Sequence, residues 1–143
     1  MPNLTVKNIL QEPATAYAAN QNRLDLVILS RKGIQLKAVK NLGEMLNLSM
    51  KELAALLPVT ERTLQRRKSG TRLSRSVSEQ VILLAELTEK GVEVFGAIDS
   101  FRQWLREPNT ALGGQHPLGL LDTAIGIQLI TDQLGKLQYG VYC

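Results

Sequence analysis

Six basic side chains, Arg62, Arg66, Arg67, Lys68, Arg72 and Arg75, fall within one short stretch that holds no acid. Ordinary solvated helix faces interleave the two signs, so such a run points to a polyanion as partner. The asymmetry extends along the chain. Residues 1–80 carry 13 Lys+Arg against 6 Asp+Glu, a net +7, whereas residues 81–143 carry 4 against 7, a net −3. If the polyanion is nucleic acid, Arg66, Lys68, Arg72 and Arg75 suit phosphates. Glu61, Arg62, Thr63 and Gln65, nearer a helix N-terminus, suit base edges in a major groove. Thr60, which can cap that helix, and Arg67 complete the candidate set. A solvated helix end and an acidic protein surface are the competing readings.

Catalytic chemistry is poorly supplied. The single His, His116, stands in a Gly-rich loop, the single Cys is Cys143, and the 13 carboxylates are scattered. No metal set or nucleophile-base pair can be assembled from these, so neither an enzyme nor a bound cofactor is expected. Lacking a second Cys, the chain forms no internal disulfide, which fits a reducing cytosol. The opening MPNLTVKNILQEP lacks the plan of a signal peptide, and no apolar run approaches the roughly 20 residues of a membrane span. A soluble, cytoplasmic protein is expected.

The elements that must position the basic residues read as two short helices over Ser49 to Arg75, a helix-turn-helix. Ser49-Met50-Lys51-Glu52 is a capping box, Leu53, Leu56 and Leu57 mark an inward face, and Pro58 ends the first helix. Thr60 caps the second and Leu64 anchors it. Pro58 occupies a turn position where Gly is common, so the turn must be built without a positive φ. Arg67 stands where an aliphatic residue is usual.

Elsewhere the periodicity is helical throughout and no strand alternation is seen, so the class is all-α. Residues 1–21 have no sustained period and read as a variable arm. Residues 22–75 form the helix-turn-helix region, with a buried helix closed by Arg31, Lys32 and Gly33 and another over Gln35 to Asn47. Residues 76–143 form a second helical unit. Its first helix is expected to start from a capping box at Ser76 and to end at Gly91, with a separate short segment over Val92 to Ala97. A helix over Ser100 to Arg106 precedes a Gly-rich loop. Asp122 or Thr123 caps a last helix with apolar residues at Ile125, Leu129, Ile130 and Leu134. Trp104 suits either core or an exposed anchor. Tyr139, Val141, Tyr142 and Cys143 are apolar at a chain end, so they need cover from the chain's own body or from a partner groove.

The second unit carries Val94-Phe95-Gly96, Trp104-Leu105, Pro108-Asn109, Ala111-Leu112-Gly113-Gly114, Pro117-Leu118, Leu120-Leu121-Asp122-Thr123, Gly126 and Tyr139-Gly140-Val141-Tyr142 in fixed order. This closely resembles the toxin-binding domain of Xre/MbcA/ParS-type antitoxins, and Thr63-Leu64-Gln65-Arg66-Arg67 with Arg72-Leu73-Ser74 also matches that family. Against this family, Pro58 and Arg67 are less anomalous. The resemblance implies an antitoxin encoded beside a RES-domain toxin related to ADP-ribosyltransferases, which consumes or uses NAD. It implies that Tyr139, Gly140, Val141, Tyr142 and Cys143 insert toward the toxin's active site; with Trp104 they form the candidate toxin-binding set. It further implies homodimers, alone or within a larger toxin complex, that bind operator DNA and repress their own operon. A stand-alone helix-turn-helix repressor is the alternative.

Overall fold

The computed structural model describes residues 9–10 and 23–140. Among the described residues the regular structure is helical, as expected, with no strand beyond the isolated bridges Gln35–Arg72 and Asn109–Gln115. The helices are α1 (Arg23–Lys32), α2 (Leu36–Met45), α3 (Met50–Leu56), α4 (Glu61–Arg66), α5 (Arg75–Phe95), α6 (Ile98–Leu105) and α7 (Ala124–Gln138). Two 3-10 turns, Thr110–Leu112 and Pro117–Leu120, fill the loop between α6 and α7.

Helix ends follow the local chemistry. The Ser49–Glu52 capping box forms in both directions, Thr60 Oγ1 accepts from the Thr63 amide, and Thr123 Oγ1 accepts from the Gly126 amide. Gly33 closes α1 at φ +97°, where an added Cβ would lie 2.6 Å from the Leu73 carbonyl oxygen. Glycine is therefore required there both by conformation and by the close approach of the Leu73 backbone.

α5 is the axis of the fold, packing against α1, α6 and α7. Leu84, Leu87, Phe101, Leu121, Ile130 and Leu134 are essentially fully buried around it and belong to the same core cluster as Leu29, Leu36, Leu42 and Leu64. Each such side chain contributes about 1.5–3 kcal/mol of burial.

Four expectations need correction. The cap of α5 is Ser74, not Ser76: Ser74 is non-helical at φ −59°, ψ 162° and its hydroxyl accepts from the Val77 amide at 3.4 Å. Ser76 is already inside the first turn. α5 also runs through Gly91 to Phe95 and ends on Gly96 at φ +77°. Gly91 does not terminate a helix; it admits the Phe101 ring, which would be 2.4 Å from an added Cβ. The apolar residues of α1 are only partly buried, since Leu26 and Leu29 face the core while Leu24, Val27 and Ile28 face outward. In α7 the packed face is Gly126, Ile127, Ile130 and Leu134, whereas Ile125 and Leu129 are exposed. Gly126 fixes that choice by lying against the Leu120 backbone with no room for a Cβ. Within the segment read as a variable arm, Ile9 and Leu10 are fully buried, and the Ile9 carbonyl accepts from Asn41 Nδ2 at 2.6 Å.

Candidate functional site

The basic stretch is built on a short helix and a loop that closes onto another helix. α4 lies behind a turn in which Leu57 is extended (φ −124°, ψ 149°) and the Val59 amide donates to the Leu57 carbonyl at 2.7 Å. This three-residue turn about Pro58 reverses the chain without a positive φ. Leu64 is fully buried, which turns Glu61, Arg62, Gln65 and Arg66 to solvent, with Thr63 half-buried. Thr60 and Thr63 pair their hydroxyls at 2.9 Å, and Gln65 Nε2 donates to Glu61 Oε1 at 3.2 Å. Glu61 is thus drawn along its own helix onto Gln65.

After Arg66 the chain leaves the helix, with Arg67 extended at φ −76°, ψ 148°. The physical reason lies in α2. Its first turn has no side-chain cap. Its Leu36 and Lys37 amides donate instead to the carbonyls of Thr71 and Ser69, each at 2.9 Å. The Leu73 amide donates to the Ile34 carbonyl at 2.9 Å. The loop supplies acceptors that a helix N-terminus otherwise lacks, so the stretch cannot stay helical.

Arg67, Lys68, Arg72 and Arg75 lie in or beside this loop, and Arg62, Arg66, Arg67, Lys68 and Arg75 have no acidic partner among the described residues. Arg72 differs: its Nη1 donates to the Gly33 carbonyl at 2.7 Å. The structure therefore places the ten sequence-nominated residues on α4 and its cap, the following loop and the first residue of α5, with Arg72 also tying that loop to the end of α1.

At the other end, Trp104 is half-buried and packs on Phe95 and Phe101 with ring centroids 5.6 and 6.3 Å away. α7 is tied to α5 at its last residue, where Lys90 Nζ donates to Gln138 Oε1 at 3.1 Å and Gln138 Nε2 donates to Glu93 at 2.9 Å. Tyr139 follows as the cap, 78% exposed, and Gly140 has φ +68°. Val141, Tyr142 and Cys143 lie outside the described residues. His116 is exposed at the start of the second 3-10 turn. No group of His, Cys, Asp and Glu suited to a metal occurs among the described residues, and no described helix is long and apolar enough to cross a membrane.

Residues 25–86 match the antitoxin Xre-like helix-turn-helix domain, and residues 90–140 match the antitoxin Xre/MbcA/ParS C-terminal toxin-binding domain. Over 142 residues the chain is 30% identical to the Prs ADP-ribosylating antitoxin of a Sphingobium strain, covering 91% of this chain and 89% of that protein. The chain belongs to the Xre/MbcA/ParS antitoxin family. Antitoxin Xre of Yersinia enterocolitica is 24% identical over 120 residues, covering 82% of this chain and 80% of the relative. The fold is similar to a chain in the crystal structure of the M. tuberculosis MbcT-MbcA toxin-antitoxin complex, with a TM-score of 0.58 at 20% identity, covering 76% of this chain and 96% of that one. The protein is thus an antitoxin of a toxin-antitoxin system.

The two matched regions of the antitoxin meet inside α5, so one continuous helix serves both. The junction is reinforced by residues that the sequence did not single out. Arg102 Nε donates to the Met45 carbonyl at 2.6 Å, and Arg106 Nη2 to the Asn47 carbonyl at 3.0 Å, satisfying acceptors at the end of α2. Arg106 also pairs with Glu52, whose carboxyl is lowered to about 2, first by that guanidinium and next by the Ser49 amide. The buried Gln80 donates to the Leu121 carbonyl at 3.0 Å and to the Leu56 carbonyl at 3.4 Å. The signal for the two arginines was their i, i+4 spacing along α6 and its cap, which puts them on one face; nothing in the sequence named their acceptors.

Proposed function

We propose that this antitoxin neutralises a RES-domain, NAD-consuming or ADP-ribosylating toxin by inserting its C-terminal end into the toxin's active site. The observation that carries this reading is the way α7 ends. Gln138 is clamped to Glu93 and Lys90, and the next residue, Tyr139, is exposed. A fixed helix end thus presents a solvent-facing aromatic, Tyr139, as the first residue beyond the clamp. In this reading Tyr139, Gly140, Val141, Tyr142 and Cys143 occlude the cleft, Gly140 allows close approach because it has no Cβ, and Trp104 supports or borders the contact. No cofactor is needed for steric occlusion. The name of the Sphingobium relative, a Prs ADP-ribosylating antitoxin, supports the choice of toxin class.

The antitoxin also represses its own operon, as a homodimer or in a larger toxin complex. Arg62, Thr63, Gln65 and Glu61 lie toward base edges, Thr60 holds the helix start, and Arg66, Arg67, Lys68 and Arg75 meet phosphates. Arg72 reaches the same surface while anchoring its loop. Support comes from the five cations on α4, its following loop and the first residue of α5 that lack an acidic partner among the described residues. Both partners imply a cytoplasmic protein. The test is a chain lacking its last four residues, co-expressed with the toxin encoded beside it. Growth arrest with an unchanged melting curve and unchanged operator binding is expected. Surviving cells would overturn occlusion by the tail.

A further inference from the structure

We infer that the outward face of α7, centred on Ile125 and Leu129, is a ridge on which the toxin docks, so that holding the toxin and occluding it are separate tasks of one helix. This rests on the tail-occlusion reading above and deepens it by assigning the surface that carries affinity. Ile125 and Leu129 are 84 and 42% exposed and one turn apart, and Gln128, Asp132 and Tyr139 fall within the same face of roughly 100°. The opposite side of α7 buries Gly126, Ile127, Ile130 and Leu134. Ile125 cannot exchange sides, because Gly126 must keep its place against the Leu120 backbone. Both ends of α7 are fixed, by Thr123 Oγ1 accepting from the Gly126 amide and by the Gln138 bonds to Lys90 and Glu93. The ridge is therefore presented already ordered, which spares a partner much of the entropy of binding. On one flank a groove of about 610 Å³ opens over Leu87 and Ile127, with Gln128 on its border. A ridge beside a groove suits an interlocking protein surface.

Position, area and charge select the toxin as the occupant. The match to the toxin-binding domain spans residues 90–140 and contains the whole of α7. The ridge leads directly into the tail, since Ile125 and Tyr139 share a face and stand about 21 Å apart along the axis at 1.5 Å per residue. The five residues from Tyr139 to Cys143 are a fraction of the roughly 20–30 that each side of a stable complex supplies. The toxin must therefore rest on more of the antitoxin than the part that enters its cleft. Residues 81–143 carry 4 Lys+Arg against 7 Asp+Glu, a net −3, so a second copy on this face would set two acidic units together. The patch that fits is apolar at its centre and basic at its rim.

The test uses the full chain and the purified toxin encoded beside it, with dissociation followed by surface plasmon resonance and inhibition by NAD turnover. Ile125→Glu and Leu129→Glu should each speed dissociation roughly tenfold or more, because each presses an unpaired carboxylate into the contact. Their melting curves should be unchanged, as both side chains already meet solvent. At saturating concentration both should still inhibit fully, since the tail is intact. Leu129→Ala, which adds no charge, should speed dissociation less, and Lys51→Glu on α3 should dissociate like wild type. The chain without its last four residues should bind the toxin yet leave it active, and should lose that binding when Ile125→Glu and Leu129→Glu are added. Wild-type dissociation from both glutamate variants, or a truncated chain that no longer binds, would overturn the ridge and leave occlusion by the tail standing. A truncated chain that inhibits until the two glutamates are added would overturn occlusion by the tail and keep the ridge. Weakened self-association with toxin dissociation unchanged would give the face to a second copy and overturn its assignment to the toxin.

Discussion

Arg106 grips Glu52 through both terminal nitrogens, Nη1 to Oε2 at 2.9 Å and Nη2 to Oε1 at 3.1 Å, joining the end of α6 to the first turn of α3. The same carboxylate accepts the Ser49 amide at 3.0 Å in the capping box. The folded protein therefore holds the Glu52 carboxyl at about 2, below its ordinary 4.5. A carboxyl lowered by folding adds stability that is complete above the unfolded value and disappears as pH falls through the folded one. Both side chains are more than a third exposed, so solvent screening limits the pair to about 1 kcal/mol. Glu52→Gln should lower stability by about that much at neutral pH, and its gap to wild type should narrow between pH 4.5 and about 2. Urea unfolding at several pH values checks this.

Gly91→Ala should destabilise the antitoxin. Alanine favours a helix interior by about 1 kcal/mol over glycine, but here its methyl would meet the Phe101 ring at 2.4 Å. Overpacking of this kind costs about 1–3 kcal/mol, so a lower melting temperature is expected. Combining it with Phe101→Leu should cost less than the two changes summed. A melt at or above wild type would mean that the ring yields freely.

Arg72 and Arg66 should separate in operator binding. Arg66 is an exposed cation without an acidic partner among the described residues, so Arg66→Ala should lower the slope of log affinity against log salt by about one unit. Arg72→Ala removes the 2.7 Å bond to Gly33, loosening the loop; affinity should fall with a smaller change in slope. Equal slope changes would make Arg72 a plain phosphate contact. Binding insensitive to salt from about 50 to 200 mM would remove the phosphate reading for both.

Gln80 is buried between α3 and the loop that leads to α7. Gln80→Leu keeps the volume and strips the donors, leaving the Leu56 and Leu121 carbonyls unpaired at about 1–3 kcal/mol. Thermal unfolding gives the loss, and hydrogen exchange should locate it where α3 ends and α7 begins rather than at α6.

Much of this protein is legible without coordinates. Ser49-Met50-Lys51-Glu52 and Thr60 announce their helix starts, and the last start is narrowed to Asp122 or Thr123, because a cap is a bond between neighbours in sequence. The uncompensated cations from Arg62 to Arg75 likewise stand out, since charge needs no fold to be counted. The all-α class follows from periodicity, and the ordered motifs of the second unit pointed to its family before any helix was placed.

What the sequence alone could not decide depends on partners far along the chain. Gly91 reads as a helix end until Phe101 is seen lying against it, and the basic stretch reads as one helix until α2 is seen taking the carbonyls of Ser69 and Thr71. Ile125 and Ile130 are alike as residues, yet Gly126 against Leu120 turns one outward and the other into the core. Local rules set where helices begin and which charges they carry. Close packing between distant segments set which side of each helix was left for a partner, because only in three dimensions does a small residue acquire a neighbour that needs its space.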